Sequence, residues 1–146
     1  MTIMPHRLSF DLHALTARLD RAADRIIRER EGLSYARFMI LFWICEVGPS
    51  TQRDIAGRLG VTEPSVSRMI SVLADHRLVR REPAKGNRHS LALTPEGRAI
   101  VRRSRAHLEA ELEKLVASSG VAYDCYARDT RLLVDALGQN GVGDGR

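Results

Sequence analysis

No apolar run in this chain is longer than the eight residues from Phe38 to Cys45, and a helix needs about 20 to cross a bilayer. A membrane-spanning segment is therefore not expected. His6, Arg7, Asp11 and His13 interrupt every apolar stretch near the N-terminus, so a secretory leader is not expected and the cytoplasm is the expected location. Cysteine is scarce: Cys45 lies in the apolar run and Cys125 among helical residues. Both are expected as reduced core thiols, with a redox switch as the rarer reading. No glycine-rich loop is suited to cradling a phosphate, and no Cys/His cluster has metal-ligand spacing, so neither catalysis nor a cofactor is expected. His107 and Glu111 stand four apart on one helix face, where an exposed side-chain pair explains them better than a metal site.

What the chain has is positive charge in one place. A length of 146 residues with 44% hydrophobic content suits one domain with a sizeable core, expected to span residues 1–146. Residues 51–105 hold 12 Lys/Arg against 5 Asp/Glu, a surplus of +7, whereas the remainder holds 11 against 13, or −2. Basic charge confined to one segment points to a polyanion. A membrane surface is the rival partner, but no lysine-rich amphipathic helix supports it.

The same segment carries the clearest local signals. Thr51, with Asp54 three residues on, predicts an N-cap. Ile55, Ala56 and Leu59 then mark the buried face of a short helix that Gly60 ends. Thr62 caps a second helix, with Pro64 tolerated in its first turn. Val66, Met69, Ile70 and Leu73 recur at helical spacing and face inward, which leaves Glu63, Ser65, Ser67, Arg68 and Ser71 outside. Small hydroxyls around one arginine can bond phosphates and base edges, and an arginine fork can read guanine. Residues 78–82 and 89–93 then predict a hairpin whose tip, Pro83 to Arg88, has turn residues and cationic Lys85 and Arg88.

Long helices flank this centre. Leu8, Leu12, Leu15, Leu19, Ala22, Ala23, Ile26 and Ile27 form a stripe on a helix ending near Arg30, before Gly32. Ser34 caps a helix to about Val47 whose apolar block makes it the expected core element, although periodicity alone also allows a buried strand. Thr94-Pro95 opens a helix to about Ser118, Gly120 breaks it, and a last helix runs from 121 to 137. Residues 138–146, rich in glycine, are expected as a disordered tail.

Taken together, Gly48-Pro49-Ser50-Thr51-Gln52-Arg53-Asp54-Ile55-Ala56, Leu59-Gly60-Val61-Thr62, Pro64-Ser65-Val66-Ser67-Arg68 and Leu91-Ala92-Leu93-Thr94-Pro95-Glu96-Gly97 resemble the MarR family of bacterial transcriptional regulators, and the likeness extends over residues 8 to 137. The resemblance implies a mainly α fold with a small β-hairpin wing, in the order α1-α2-α3-α4-β-β-α5-α6. It implies a winged helix-turn-helix over residues 33–94 and homodimerisation through helices at 8–31 and 95–137. It further implies that Arg88 enters the minor groove. The family usually has an aspartate close before that arginine; Asn87 stands there instead, so the ion pair that would hold the wing tip is not expected. The family's peroxide sensors carry their thiol in the first helix, and residues 1–31 contain no cysteine.

The expected function is therefore that of a repressor binding double-stranded DNA as a homodimer on an inverted repeat. The expected DNA contacts are Gln52, Arg53, Thr62, Pro64, Ser65, Ser67, Arg68, Ser71, Lys85 and Arg88. A small aromatic or anionic effector is a further expected partner, and the resemblance implies Arg18, Arg37, Phe38 and Trp43 as its walls, against packing and surface charge as the plainer account. The alternative function is a winged-helix protein-interaction module or a non-specific architectural DNA binder.

Overall fold

The structure, a computed structural model, describes residues 6–86 and 88–140, without the side chains of 139 and 140. The chain forms α1 (Leu8–Glu31), α2 (Tyr35–Val47), α3 (Gln52–Leu59), α4 (Glu63–Asp75), β1 (Val79–Pro83), β2 (His89–Leu93), α5 (Pro95–Ser119) and α6 (Tyr123–Asn140). This is the predominantly helical order, with one hairpin, that the sequence predicts. Two units are distinguished, Met1–Arg105 and Ala106–Arg146. Among the described residues no helix is long and apolar enough to cross a membrane.

In the first unit, Gly32 ends α1 in the left-handed region at φ 68°, and the Ser34 side chain accepts from the Arg37 N–H to start α2. The core gathers Ile27, Phe38, Ile40, Leu41, Ile44, Ile55, Val66, Ile70, Leu73, Leu91 and Leu93, all essentially out of water. Each such side chain contributes about 1.5–3 kcal/mol relative to leaving it exposed, so α2 is the central helix and not a buried strand. The hairpin is antiparallel, with Val79 opposite Leu93 and Pro83 opposite His89; Leu78, expected in the first strand, precedes it. Ser50 adds a bridge to the hairpin. Its N–H donates to the Leu91 carbonyl at 3.1 Å and its own carbonyl accepts from Leu91 at 2.8 Å, so the loop entering α3 is pinned to β2.

The start of α5 is fastened to the turn after α4. The Thr94 hydroxyl donates to the Arg77 carbonyl at 2.7 Å and accepts from the Gly97 N–H at 3.1 Å, while the Thr94 N–H donates to the Leu78 carbonyl at 3.1 Å. Arg77 itself adopts φ 58°, an uncommon conformation for a non-glycine residue. At Gly97 a Cβ would lie 2.2 Å from the Leu78 carbonyl oxygen, so only glycine permits this approach.

Two expectations need correction. Cys45 and Cys125 are exposed, not buried. Cys45 sits near the end of α2, beyond the buried faces of Phe38, Ile40, Leu41 and Ile44; apolar neighbours in sequence do not share its side of the helix. The chain does not break at Gly138 either, because α6 continues through it to Asn140. A helical glycine costs only about 1 kcal/mol relative to alanine, and Gly138 needs no positive φ. Residues 141–146 of the expected tail lie outside the described residues. The stripe on α1 is covered only toward its C-terminal end: Ile27 is buried, whereas Leu8 and Phe10 are 70% and 71% exposed.

In the second unit, Val116 is the one buried side chain among the described residues. Leu112, Val116, Tyr123, Tyr126, Ala127 and Val134 line an apolar groove of about 210 Å³, with Thr130 and Arg131 beside it. Leu132, Leu133 and Leu137 stand in water.

Candidate nucleic-acid interface

The helix pair is built by its caps. The Thr51 hydroxyl accepts from the Asp54 N–H at 3.1 Å, and the Asp54 carboxylate accepts from the Thr51 N–H at 3.1 Å and its hydroxyl at 2.7 Å. These bonds from Thr51 hold the Asp54 carboxyl below its usual range. Gly60 turns the chain at φ 65°, and the Thr62 hydroxyl accepts from the Ser65 N–H to begin α4, with Pro64 in the first turn. Val66, Ile70 and Leu73 anchor α4 with no exposure at all. Its rotation is thereby fixed.

That anchoring leaves Glu63, Pro64, Arg68 and Ser71 exposed, with Ser65 and Ser67 half-buried beside them. One Arg68 Nη donates to the Ser65 hydroxyl at 3.3 Å, and the Ser71 hydroxyl donates to the Ser67 carbonyl at 3.1 Å. At the near end of α3, Gln52 is half-buried and Arg53 exposed, and Thr62 is exposed in the turn. The wing loop closes through Ala84 N–H to the Arg88 carbonyl at 3.0 Å, with Gly86 at φ 75°; Lys85 and Arg88 are exposed. Asn87 lies outside the described residues. Arg53, Arg68, Lys85 and Arg88 form no ion pair among the described residues, whereas Arg80, Arg103 and Arg105 each face a carboxylate. The cations on α3, α4 and the wing tip thus keep their charge available to a polyanion.

The residues named for an effector lie on α1 and α2. Arg18 is exposed. Phe38 is buried and stacks with Tyr35 at 6.2 Å. Trp43 meets Phe42 edge-on at 5.3 Å, with the Arg58 guanidinium 5.4 Å from its ring centre, a contact that sequence spacing did not reveal. Arg37 is half-buried, and its Nε is a buried donor with no partner among the described residues. In the His107–Glu111 pair, Glu111 accepts from Lys114 at 2.8 Å, which holds its carboxyl low, with His107 adding a smaller electrostatic contribution.

A capped helix pair with a hydroxyl-rich outward face, continued by a hairpin with a cationic tip, is a winged helix-turn-helix. The chain matches the model of the MarR family over residues 31–88. It is 35% identical over 86 residues to the transcriptional regulator MntR of Salmonella typhimurium, covering 59% of this chain and 52% of that protein. The chain thus spans about half the length of the curated relatives it matches. Among solved structures it resembles a MarR-family transcriptional regulator from Rhodococcus sp. RHA1, with a TM-score of 0.79 at 19% identity over 94% of this chain and 97% of that one. It also resembles Staphylococcus aureus MepR crystallised with DNA, with a TM-score of 0.71 at 21% identity over 90% of this chain and 95% of that one. At these identities the structural likeness is one of fold.

Proposed function

We propose that the chain is a sequence-specific DNA-binding transcriptional regulator, a repressor that holds an inverted-repeat operator as a homodimer. The observation that carries this reading is the outer face of α4, where Arg68 stands exposed among Ser65, Ser67 and Ser71 above a buried, rotation-fixing side. Thr62 and Pro64 open that face, Gln52 and Arg53 position the phosphate backbone, and Lys85 and Arg88 reach the neighbouring minor groove. Curated relatives named as transcriptional regulators, and a structural neighbour crystallised with DNA, support the same reading.

The homodimer is supported by the apolar side chains that α1 and α6 leave in water, notably Leu8, Phe10, Leu132 and Leu137. A two-fold axis would set the two α4 helices about 34–36 Å apart, one turn of DNA. The unpartnered Arg37 Nε supports an anionic or aromatic effector held near Arg18, Phe38 and Trp43. Such a ligand releases DNA only by favouring the dimer spacing that does not fit.

The test is Arg68→Ala on an operator located by footprinting the DNA that flanks the gene. Loss of about 1–3 kcal/mol of binding, with relaxed preference at one base pair per half-site, is expected. Equal weakening on operator and random duplex would make Arg68 a phosphate contact and favour a non-specific architectural role.

A further inference from the structure

The last residue of α1 is a carboxylate shielded from water, which is an unusual place for a charge. The Glu31 side chain is 4% exposed, and both its oxygens are occupied. One accepts from Arg103 Nε at 2.9 Å and from the Ser104 hydroxyl at 3.2 Å; the other accepts from an Arg103 Nη at 2.6 Å. Ser104 is fully buried, while Arg103 is partly open to solvent and the same Nη lies 3.6 Å from a Glu96 carboxylate oxygen. A two-point fork of this kind fixes angle as well as distance. Apolar packing could supply equal or greater stability at such a site, whereas a directed pair adds a specific register between the two helices.

What the fork joins gives it a role. Arg103 and Ser104 lie on the segment of α5 whose first turn is locked, through Thr94 and Gly97, to the carbonyls of Arg77 and Leu78 at the exit of α4. Arg105 fastens the same segment to α2, bonding Glu46 at 2.5 Å with its guanidinium 5.7 Å from the Phe42 ring. The α4 exit, the wing root and the start of α5 are therefore one fastened block. Among the described residues, Glu31 makes the only ion pair between that α5 segment and α1. Building on the DNA-bound homodimer proposed above, we infer that Glu31 is a positioning residue: it references α1, a dimerisation helix, to the α4–wing block and so sets the half-site spacing the dimer accepts.

The experiment compares wild type with Glu31→Gln in the full chain, each confirmed as a dimer by sedimentation. Affinity is measured for the footprinted operator, for the same operator with two base pairs added between half-sites, and for a single half-site. Wild type should prefer the native spacing; Glu31→Gln should narrow that preference by about five-fold or more, the lower end of ordinary coupling between sites, with half-site affinity unchanged. Should Glu31→Gln not fold, Arg103→Lys, which keeps the charge and loses the fork, carries the same expectation. Loss in equal proportion on all three duplexes, or an unchanged spacing preference, overturns the inference while leaving the DNA-binding reading intact. Wild type that binds no inverted repeat overturns both.

Discussion

Gly97→Ala tests how the wing root is held. The added methyl carbon would lie 2.2 Å from the Leu78 carbonyl oxygen and 3.2 Å from its carbonyl carbon, and ordinary van der Waals contact requires roughly an ångström more. The obstruction is backbone, so no side-chain rotation relieves it. Either the first turn of α5 withdraws or the turn after α4 shifts, and both movements stretch the Thr94 bonds to the Leu78 and Arg77 carbonyls, now 3.1 and 2.7 Å. Losing two such bonds at about 1 kcal/mol each, with overpacking strain of about 1–3 kcal/mol, sets the expected cost at about 2–4 kcal/mol, since relaxation recovers part of the strain. Urea unfolding followed by the fluorescence of Trp43, the single tryptophan of the chain, reads this in the unit concerned. Gly57→Ala is the internal control: it sits in α3 with nothing within 4 Å of an added Cβ and no positive φ. It should stabilise by about 0.5–1 kcal/mol through helix propensity. A Gly97→Ala protein as stable as wild type would refute the close-approach account of the wing root.

Two further outcomes follow from the charges. Arg88→Ala should reduce the salt dependence of operator binding by about one phosphate equivalent and weaken preference for A·T-rich flanks; an unchanged slope and affinity, measured across a salt series, would show that the wing stays clear of DNA. The hydrogen bonds from Arg103, outweighing burial, hold the Glu31 carboxyl below its ordinary value of 4.5. Its contribution to stability is therefore complete above that pH and fades as pH falls through the lowered value. In urea titrations the gap between wild type and Glu31→Gln should be open at neutral pH and close in acid; a gap that widens in acid contradicts the pairing.

The elements legible in the sequence were those whose signals are local. Thr51 with Asp54, Gly60, Thr62 before Pro64, and Thr94 before Pro95 each act within a few residues, and the structure gives each the expected capping or turn geometry. The outward face of α4 was legible because its apolar spacing is strict. The Ser50–Leu91 bridge, the Gly97–Leu78 approach and the Glu31–Arg103 fork were not legible, because they join residues far apart in sequence and no periodicity encodes which partner will be opposite. A glycine in the first turn of α5 was the one available hint, since such a residue commonly marks a close approach. Cys45 misled for a related reason: an apolar run gives average burial, whereas the face each residue occupies is decided by neighbours elsewhere in the chain.

The uncovered leucines at the two ends of the described chain bear on how the protein responds to its own abundance. Leu8 and Leu137 are 70% and 74% exposed, and each forgoes much of the roughly 1.5–3 kcal/mol that burial confers. If a second copy supplies that cover, the stability of the terminal helices obeys mass action and rises by about 1.4 kcal/mol of dimer for each tenfold increase in concentration. The core around Ile40 and Ile70 draws on no such supply. Dilution should then loosen α1 and α6 while the winged helix stays folded, so that scarcity alone would weaken the proposed hold on an inverted repeat.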